Sequence, residues 1–309
     1  MFKSKLILLL VITFSLTSCL GGGSSGDENP TNQTDDGGSD DDSGNQSETG
    51  DQATTVEGEL TKDTIWSGVV EAGYVVVPEG VTLTIQPGTK VKFRVSRDYK
   101  NPNKGGLGIE GGTLKAIGEP GMQIFFTSDY EGAGFDSAIN GDWFGISLSD
   151  TDDSELKYTV VEFAELGVEQ FNSSAKVSYS VIRWNNTEGL YAEQSSPTFE
   201  YNTLYQNAYH EIALEQDNTN VQIKKNLFQY GYVGIHSENT QVTISDNFFE
   251  DYASHAITAG MGSELAVSDN HFLQIEGEPD ILNTDEPNTK IVQSGSINES
   301  NGSNRPAFD

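Results

Sequence analysis

The stretch Val221-Gln222-Ile223-Lys224-Lys225-Asn226-Leu227-Phe228 decides how this chain folds, because it comes back. It returns as Val242-Thr243-Ile244-Ser245-Asp246-Asn247-Phe248-Phe249 and again as Leu265-Ala266-Val267-Ser268-Asp269-Asn270-His271-Phe272. Phe199-x-x-Asn202-x-Leu204 is an earlier copy that keeps the Asn, and two copies before it put Ser180 and Val161 in the same slot. Counting that slot at 161, 180, 202, 226, 247 and 270 gives steps of 19, 22, 24, 21 and 23 residues. A period near 22 is the signature of a solenoid.

Each repeat has a second apolar point about ten residues after the slot: Val168, Leu190, Ile212, Ile235 and Ile257, often preceded by Gly or Ala. The residues around these points alternate with period two, as in Ile212 and Leu214, so they belong to strands. Units of about 22 residues with two short strands and no helical segment bury their apolar edges by stacking in parallel, at about 4.8 Å per coil. Parallel crossovers are right-handed, so the expected fold is all-β, a single-stranded right-handed parallel β-helix. Asn202, Asn226, Asn247 and Asn270 then fall at one bend of successive coils. There, inward amides can bond the backbone and one another.

A leucine-rich repeat shares the phrase L-x-L-x-x-N-x-L. Three features count against it. The apolar slots hold Val, Ile and Phe more than Leu, the far side of each repeat is another strand, and the chain before Leu156 carries strands without the phrase.

Outward from this block the chain divides readily. In residues 1–18, Lys3 and Lys5 precede an apolar run from Leu6 to Leu16, too short to span a bilayer as a permanent helix, and Leu16-Thr17-Ser18-Cys19 follows. This end is similar to the lipobox of bacterial lipoproteins, which implies that Cys19, the sole cysteine, is lipidated and anchors the chain in a membrane. With Leu20 and not Asp after it, the resemblance implies the outer membrane of a bacterial cell envelope. Residues 19–57 carry ten acidic charges and no apolar periodicity, so a disordered acidic tether is expected. Residues 58–290 are expected to form the β-helix, and 291–309 a last strand or cap with a polar tail. The segments Arg94 to Gly106 and Asp129 to Asn140 read as exposed excursions from coils.

Several runs carry a wider resemblance: Val77-Pro78-Glu79-Gly80-Val81-Thr82-Leu83-Thr84-Ile85, Pro87-Gly88-Thr89-Lys90-Val91-Lys92-Phe93, Gly112-Thr113-Leu114-Lys115-Ala116-Ile117-Gly118 and Gly141-Asp142-Trp143-Phe144-Gly145-Ile146. Across roughly residues 60 to 275 the chain resembles bacterial cell-surface right-handed β-helix proteins of the pectin-lyase-like type. The resemblance implies the fold; that architecture hosts lyases, hydrolases, epimerases, adhesins and proteins without chemistry.

The formal net charge is −30, and −32 once Lys3 and Lys5 are removed with the leader. Such a chain is not expected to bind nucleic acid or polyuronate backbones, both of which need a basic groove. Pectate lyases of the resembled type use an Arg or Lys base beside carboxylates that hold calcium. Here the only arginines are Arg94, Arg97, Arg183 and Arg305, none in phase with the acidic stripe described next. Asn283-Thr284-Asp285 resembles one piece of the polygalacturonase signature without its companions.

Three residues after the second apolar point, successive coils place Glu193, Glu215 and Glu238. In register these stack on one outer edge, where they are either splayed in water or hold a cation, calcium being the candidate. Tyr191, Ala213 and His236 occupy the outward face of the same strands, and His236 is a candidate acid or base with the three glutamates. The solvated edge of an acidic protein is the bland alternative. Asp150 to Glu155 lacks the Gly and Glu of a calcium loop and reads as an acidic turn. His210 and His255 share a phase but lie two coils apart with Val233 between, too far for a common metal, and read as structural; His271 follows the Asn ladder and has no second ligand. Trp184 and Tyr230, four residues after the slot, and Tyr179 and Tyr201, just before it, are candidate sugar-binding rings along with Tyr191.

Three functions fit. The leading one is a lipid-anchored surface β-helix that binds or supports, with extracellular polysaccharide as ligand. The second is a polysaccharide lyase or glycoside hydrolase working at the Glu193, Glu215, Glu238 and His236 edge. The third is a passive spacer rod. The lack of a recognisable catalytic set places binding ahead of catalysis.

Overall fold

In a computed structural model of the chain, the described residues are 54–98, 103–276, 281–284 and 288–299. They fold as strands throughout, with no helix among the described residues. Every strand pair that builds the body is parallel, and each coil contributes strands to three faces. Face I is a sheet of ten strands, which sets the count at about ten coils, slightly fewer than the roughly eleven that 250 residues would allow. Faces II and III alternate along the second, nineteen-stranded sheet. Face II includes Thr159–Glu162, Val181–Arg183, Thr203–Tyr205, Leu227–Gln229 and Phe248–Tyr252. Face III includes Val168–Phe171, Leu190–Glu193, His210–Glu215, Val233–Glu238 and Ile257–Gly260.

The repeat phrase maps directly onto this path. Its alternating residues, such as Val221 and Ile223, Val242 and Ile244, Leu265 and Val267, lie on face I and turn inward to a continuous core. The first described strand, Thr54–Glu59, pairs with Val69–Pro78, so pairing begins four residues ahead of the expected boundary at Gly58. At the other end Lys290–Ser294 pairs with Glu264–Ser268 on face I. Cys19, the leader and nearly all of the acidic tether lie outside the described residues.

After six consecutive face I strands the chain turns through one non-glycine residue at positive φ: Tyr158, Tyr179, Tyr201, Lys225, Asp246 and Asp269, between 50° and 57°. A side chain in this left-handed region costs about 1–2 kcal/mol, so something must hold the bend. The next residue does. Asn202 Oδ1 accepts the Ser180 N–H at 3.0 Å, Asn226 that of Asn202, Asn247 that of Asn226 and Asn270 that of Asn247, each at 2.9 Å. Their amides donate back to the carbonyls of Val177, Phe199, Ile223 and Ile244. One register correction follows. The slot in the first copy is Thr159, whose N–H donates to Ser180 Oγ, and not Val161, which is a core residue paired with Ile182. The steps become 21, 22, 24, 21 and 23.

A second buried ladder holds the bend between faces II and III. Asn185 Oδ1 accepts the Ala164 N–H and Asn207 Oδ1 that of Asn185, at 2.9 and 3.1 Å. The next rung is missing, because Gly231 stands where another Asn would continue. Glu211 closes the ladder instead. Its carboxyl accepts the Asn207 N–H at 3.4 Å and the Asn207 side-chain amide, with no exposure to solvent. It holds a place that is Gly167 and Gly189 in the preceding coils and Gly234 in the next. Burial pushes its carboxyl up to about 8, against the hydrogen bonds from Asn207 that pull it down. Tyr252, also buried, fills the rest of the gap: a methyl built on Gly231 would lie 2.8 Å from Glu211 and 2.7 Å from the Tyr252 ring.

The two expected excursions are tied together. Asp142, fully buried, accepts from Arg97 Nε at 2.7 Å, Ser128 Oγ at 2.7 Å and the Ile139 N–H at 3.0 Å. Arg97 also lies 3.8 Å over the Phe135 ring.

Candidate functional site

Face III collects the polar chemistry. Alternation along each strand sends every second side chain outward, so pairing decides which outward residues meet. Glu169 pairs with Tyr191, Tyr191 with Ala213, Ala213 with His236 and His236 with Thr258. One column over, Phe171 pairs with Glu193 and Glu193 with Glu215. Glu238 follows Ser237, the partner of Leu214, and extends that column by one coil. The structure therefore brings Tyr191, Glu193, Glu215, His236 and Glu238 onto one outward surface.

Tyr191 organises the centre. Its hydroxyl lies 3.2 Å from a carboxylate oxygen of Glu193 and 3.2 Å from one of Glu215. A phenol has a single proton to donate, so it satisfies one carboxylate fully and leaves the other short of a donor. Burial, then the charges of Glu215 and Glu193, push the phenol far above its usual range. The Glu215 carboxyl is also raised, by burial first and then by Glu238 and Glu188, although its contact with Tyr191 opposes this. Burial likewise raises Glu169, against a hydrogen bond from Ser147.

Beside this centre stand two imidazoles. His236 Nδ1 is 2.8 Å from Thr258 Oγ1 and its Nε2 is 3.4 Å from Glu238. Burial, followed by the nearby His210, holds His236 below the usual imidazole range. His210 Nδ1 lies 3.3 Å from Glu188. Burial works against the Glu188 charge, yet hydrogen bonds from His210 and Thr187 leave its carboxyl lower than usual. His210, read from the sequence as structural, stacks its ring on His236 with centroids 4.8 Å apart. His255 bonds Ser254 at 2.9 Å and His271 stacks on Phe248. Thr284 donates to the Ala259 carbonyl, and Asp285 lies outside the described residues.

The other candidate rings sit at the corners. Tyr158, Tyr179 and Tyr201 stack face to face at 5.0 and 4.7 Å, and Lys225 lies 5.3 Å from the Tyr201 ring. Tyr179 thus spends both faces on its neighbours and offers only its edge. Trp184 stacks on Phe163 at 5.3 Å, with Arg183 4.0 Å from its ring centre. Tyr230 is half exposed. Two rings that alternation could not single out are more open: Tyr209 and Tyr232, 59% and 55% exposed, precede His210 and Val233 at the rim of face III. Tyr209 meets His210 edge-on at 5.3 Å.

Among the described residues no three His, Cys, Asp or Glu side chains converge as a metal-binding group. Glu193, Glu215 and Glu238 run along the surface as a line. Hollows lie elsewhere: one of about 240 Å³ on face I beside Gln222, Thr243, Glu264 and Lys290, and one of about 350 Å³ at a corner beside Asp150, Asp152, Asn172 and Gln194.

Comparison with known proteins bears on the architecture. The family model described as right handed beta helix region matches residues 166–278, the coils that carry the Asn ladder. No curated protein matches the chain. Among solved structures, the periplasmic alginate epimerase AlgG is similar over 80% of this chain and 76% of that one, at 11% identity and a TM-score of 0.42. The mannuronan C-5 epimerase AlgE4 A-module of Azotobacter vinelandii is similar over 81% and 88%, at 12% and 0.30. DFA-IIIase from Arthrobacter chlorophenolicus, without its lid, is similar over 75% and 79%, at 11% and 0.38.

Proposed function

We propose that this right-handed β-helix is a polysaccharide-binding module of the bacterial cell envelope, with face III as its binding surface. The observation that carries the reading is the Tyr191 hydroxyl held between Glu193 and Glu215, with the open rings of Tyr209 and Tyr232 close by on the rim. Carboxylates short of a donor accept sugar hydroxyls, and exposed rings accept sugar faces. The same arrangement favours binding over hydrolysis. A glycosidase needs its two carboxyls to flank the scissile bond, and here the phenol fills the space between them. The strongly negative charge selects against polyanions.

A second reading, lyase or hydrolase chemistry at the same face, is favoured by one observation. Burial lowers His236 below the ordinary imidazole value, and the ring lies within reach of Glu238, an arrangement suited to a general base. The envelope location rests on the lipobox-like run ending at Cys19, and calcium is retained as a candidate ion for the glutamate line.

The test is retention of the full chain on a polysaccharide array, with calcium and with chelator, followed by an assay for new chain ends. Retention without new ends, weakened at least about tenfold by Tyr209→Ala and by Tyr191→Phe, is the expected result. New ends lost in His236→Ala would replace binding with catalysis, and no retention on any polysaccharide would leave a spacer role. Radiolabelled fatty acid incorporated by the parent and not by Cys19→Ser would establish the anchor.

A further inference from the structure

Toward the N-terminal end of face III, Tyr74 pairs with Gly106 and Val76 with Gly108, so the outward positions of the next strand carry no side chain. The Tyr74 ring lies over them: a methyl built on Gly106 would meet its ring carbons at 3.0 Å, and one built on Gly108 its hydroxyl at 3.0 Å. One ring face is thus spent on the glycine floor and the other is left to solvent. Phe144 stands across it at 82°, with the centroids 6.1 Å apart, and each of the two residues is 39% exposed. Lys104 Nζ is 5.5 Å from the Phe144 ring centre and pairs with Glu165 at 3.2 Å, so its charge is compensated. Glu110 and Glu169 lie toward the Tyr74 hydroxyl: burial first, then their charges, push the phenol above its usual range.

Position ties this corner to the rest of the face. Gly108 pairs with Ser147, Ser147 with Glu169 and Glu169 with Tyr191, which sets the Tyr74 platform three coils before Tyr191 on one outward column. On the rim, backbone bonds step from Trp143 to Glu165, then to Thr187 and to Tyr209, again three coils. Three coils are about 14 Å. We propose that Tyr74 and Phe144 form a second carbohydrate subsite, an open ring corner that takes one pyranose unit of a neutral, linear glycan whose chain continues along face III to Tyr209. This deepens the reading of face III as a binding surface and rests on it. The pyranose lays its C–H face on the Tyr74 ring, Phe144 closes one side, and hydroxyls of the same unit reach the carboxyls beyond the phenol. Neutrality follows from the charges: a uronate carboxylate would meet Glu110 and Glu169 at one end and an already paired Lys104 at the other. Linearity follows from the span. A disaccharide touches one ring cluster, and only a longer chain touches both.

The test is calorimetric titration of the full chain with disaccharides and hexasaccharides of β-1,4-linked glucose, mannose and xylose, and with hexamannuronate as the acidic control. A neutral hexasaccharide is expected to bind the parent, and Tyr74→Ala and Phe144→Ala are each expected to weaken it at least about tenfold. Tyr74→Phe keeps the ring and should bind within about threefold of the parent; a loss as large as that in Tyr74→Ala would overturn the stacking. Urea midpoints separate loss of the corner from loss of the fold, and if Tyr74→Ala unfolds, Phe144→Ala and Tyr74→Phe decide alone. Hexasaccharide binding that falls in Tyr209→Ala and is unmoved in Tyr74→Ala and Phe144→Ala would overturn the subsite and leave the proposed function standing. Binding that falls in Tyr74→Ala and not in Tyr191→Phe would support the subsite and count against a binding centre at Tyr191. Hexamannuronate bound more tightly than every neutral hexasaccharide would refute the neutral ligand. If the chain binds none of these probes the subsite falls, and retention on the polysaccharide array decides the proposed function separately.

Discussion

Glu211→Gln should reverse the sign of its effect on stability as pH rises. The Glu211 carboxyl is fully buried, and burial lifts it from 4.5 to about 8. Below 4.5 the group is neutral in the folded and the unfolded chain and exacts nothing. Between 4.5 and 8 the unfolded chain ionises while the folded one keeps its proton, so stability falls as pH rises; above 8 the loss is complete. A displacement of this size corresponds to roughly 4–5 kcal/mol. Glutamine has the same shape and no charge, but it offers one acceptor where Glu211 takes two bonds from Asn207, a loss of about 1 kcal/mol. The variant should therefore be about 1 kcal/mol less stable than the parent at pH 3.5, about equal to it near pH 5 and roughly 3–4 kcal/mol more stable at pH 9. Urea unfolding at these pH values, with m checked for constancy, measures this. Parallel stability curves for the two proteins would refute the account of a neutral, buried Glu211.

Other substitutions address separate parts of the molecule. Asn247→Leu leaves the Asn226 N–H and the Ile223 carbonyl unpaired inside the core and should cost at least about 3 kcal/mol in urea unfolding; a loss under about 1 kcal/mol would mean the ladder is decoration. Asp142→Ala removes the acceptor that joins Arg97, Ser128 and the Ile139 N–H, at about 3 kcal/mol. Limited proteolysis should then cut within residues 94–142 faster than in the parent, and an unchanged digestion pattern would count against that tie. Gly189→Ala drives a methyl to 2.7 Å from the Asn207 amide and the Glu211 carbonyl, an overpacking cost of about 1–3 kcal/mol visible as a lowered Tm.

The repeat was legible because inward positions on face I must be apolar and the residue after each left-handed turn must satisfy buried backbone. Asn202, Asn226, Asn247 and Asn270 meet both demands in plain view. Val161 was mistaken for the slot because in a closed coil the ladder position and the next inward strand position are both buried, and alternation alone does not tell Thr159 from Val161. The glutamate column was readable for a related reason: a constant offset from the second apolar point gives register. The stacking of His210 on His236 was not, since it depends on the size of Ala213 and not on register. Tyr209 and Tyr232 were missed because they lie just ahead of the face III strands, outside the positions counted from the two apolar points of each repeat. For Tyr179 and Tyr201 the column was right, but only coordinates reveal that the ring faces are spent on one another.

The missing rung at Gly231 has a mechanical meaning. In a stack where each coil is fastened only to its neighbours, force applied at one end peels the chain a coil at a time. Each event releases about 22 residues, close to 75 Å of extended chain. Where Asn185 and Asn207 clamp adjacent coils the peel must break side-chain bonds as well as the strand ladder, and past Glu211 it meets no such clamp at that corner. A tether pulled from the N-terminal side would thus meet its stiffest resistance in the coils of Asn185 and Asn207. Once those coils give way, the body should yield more readily, as a fuse does.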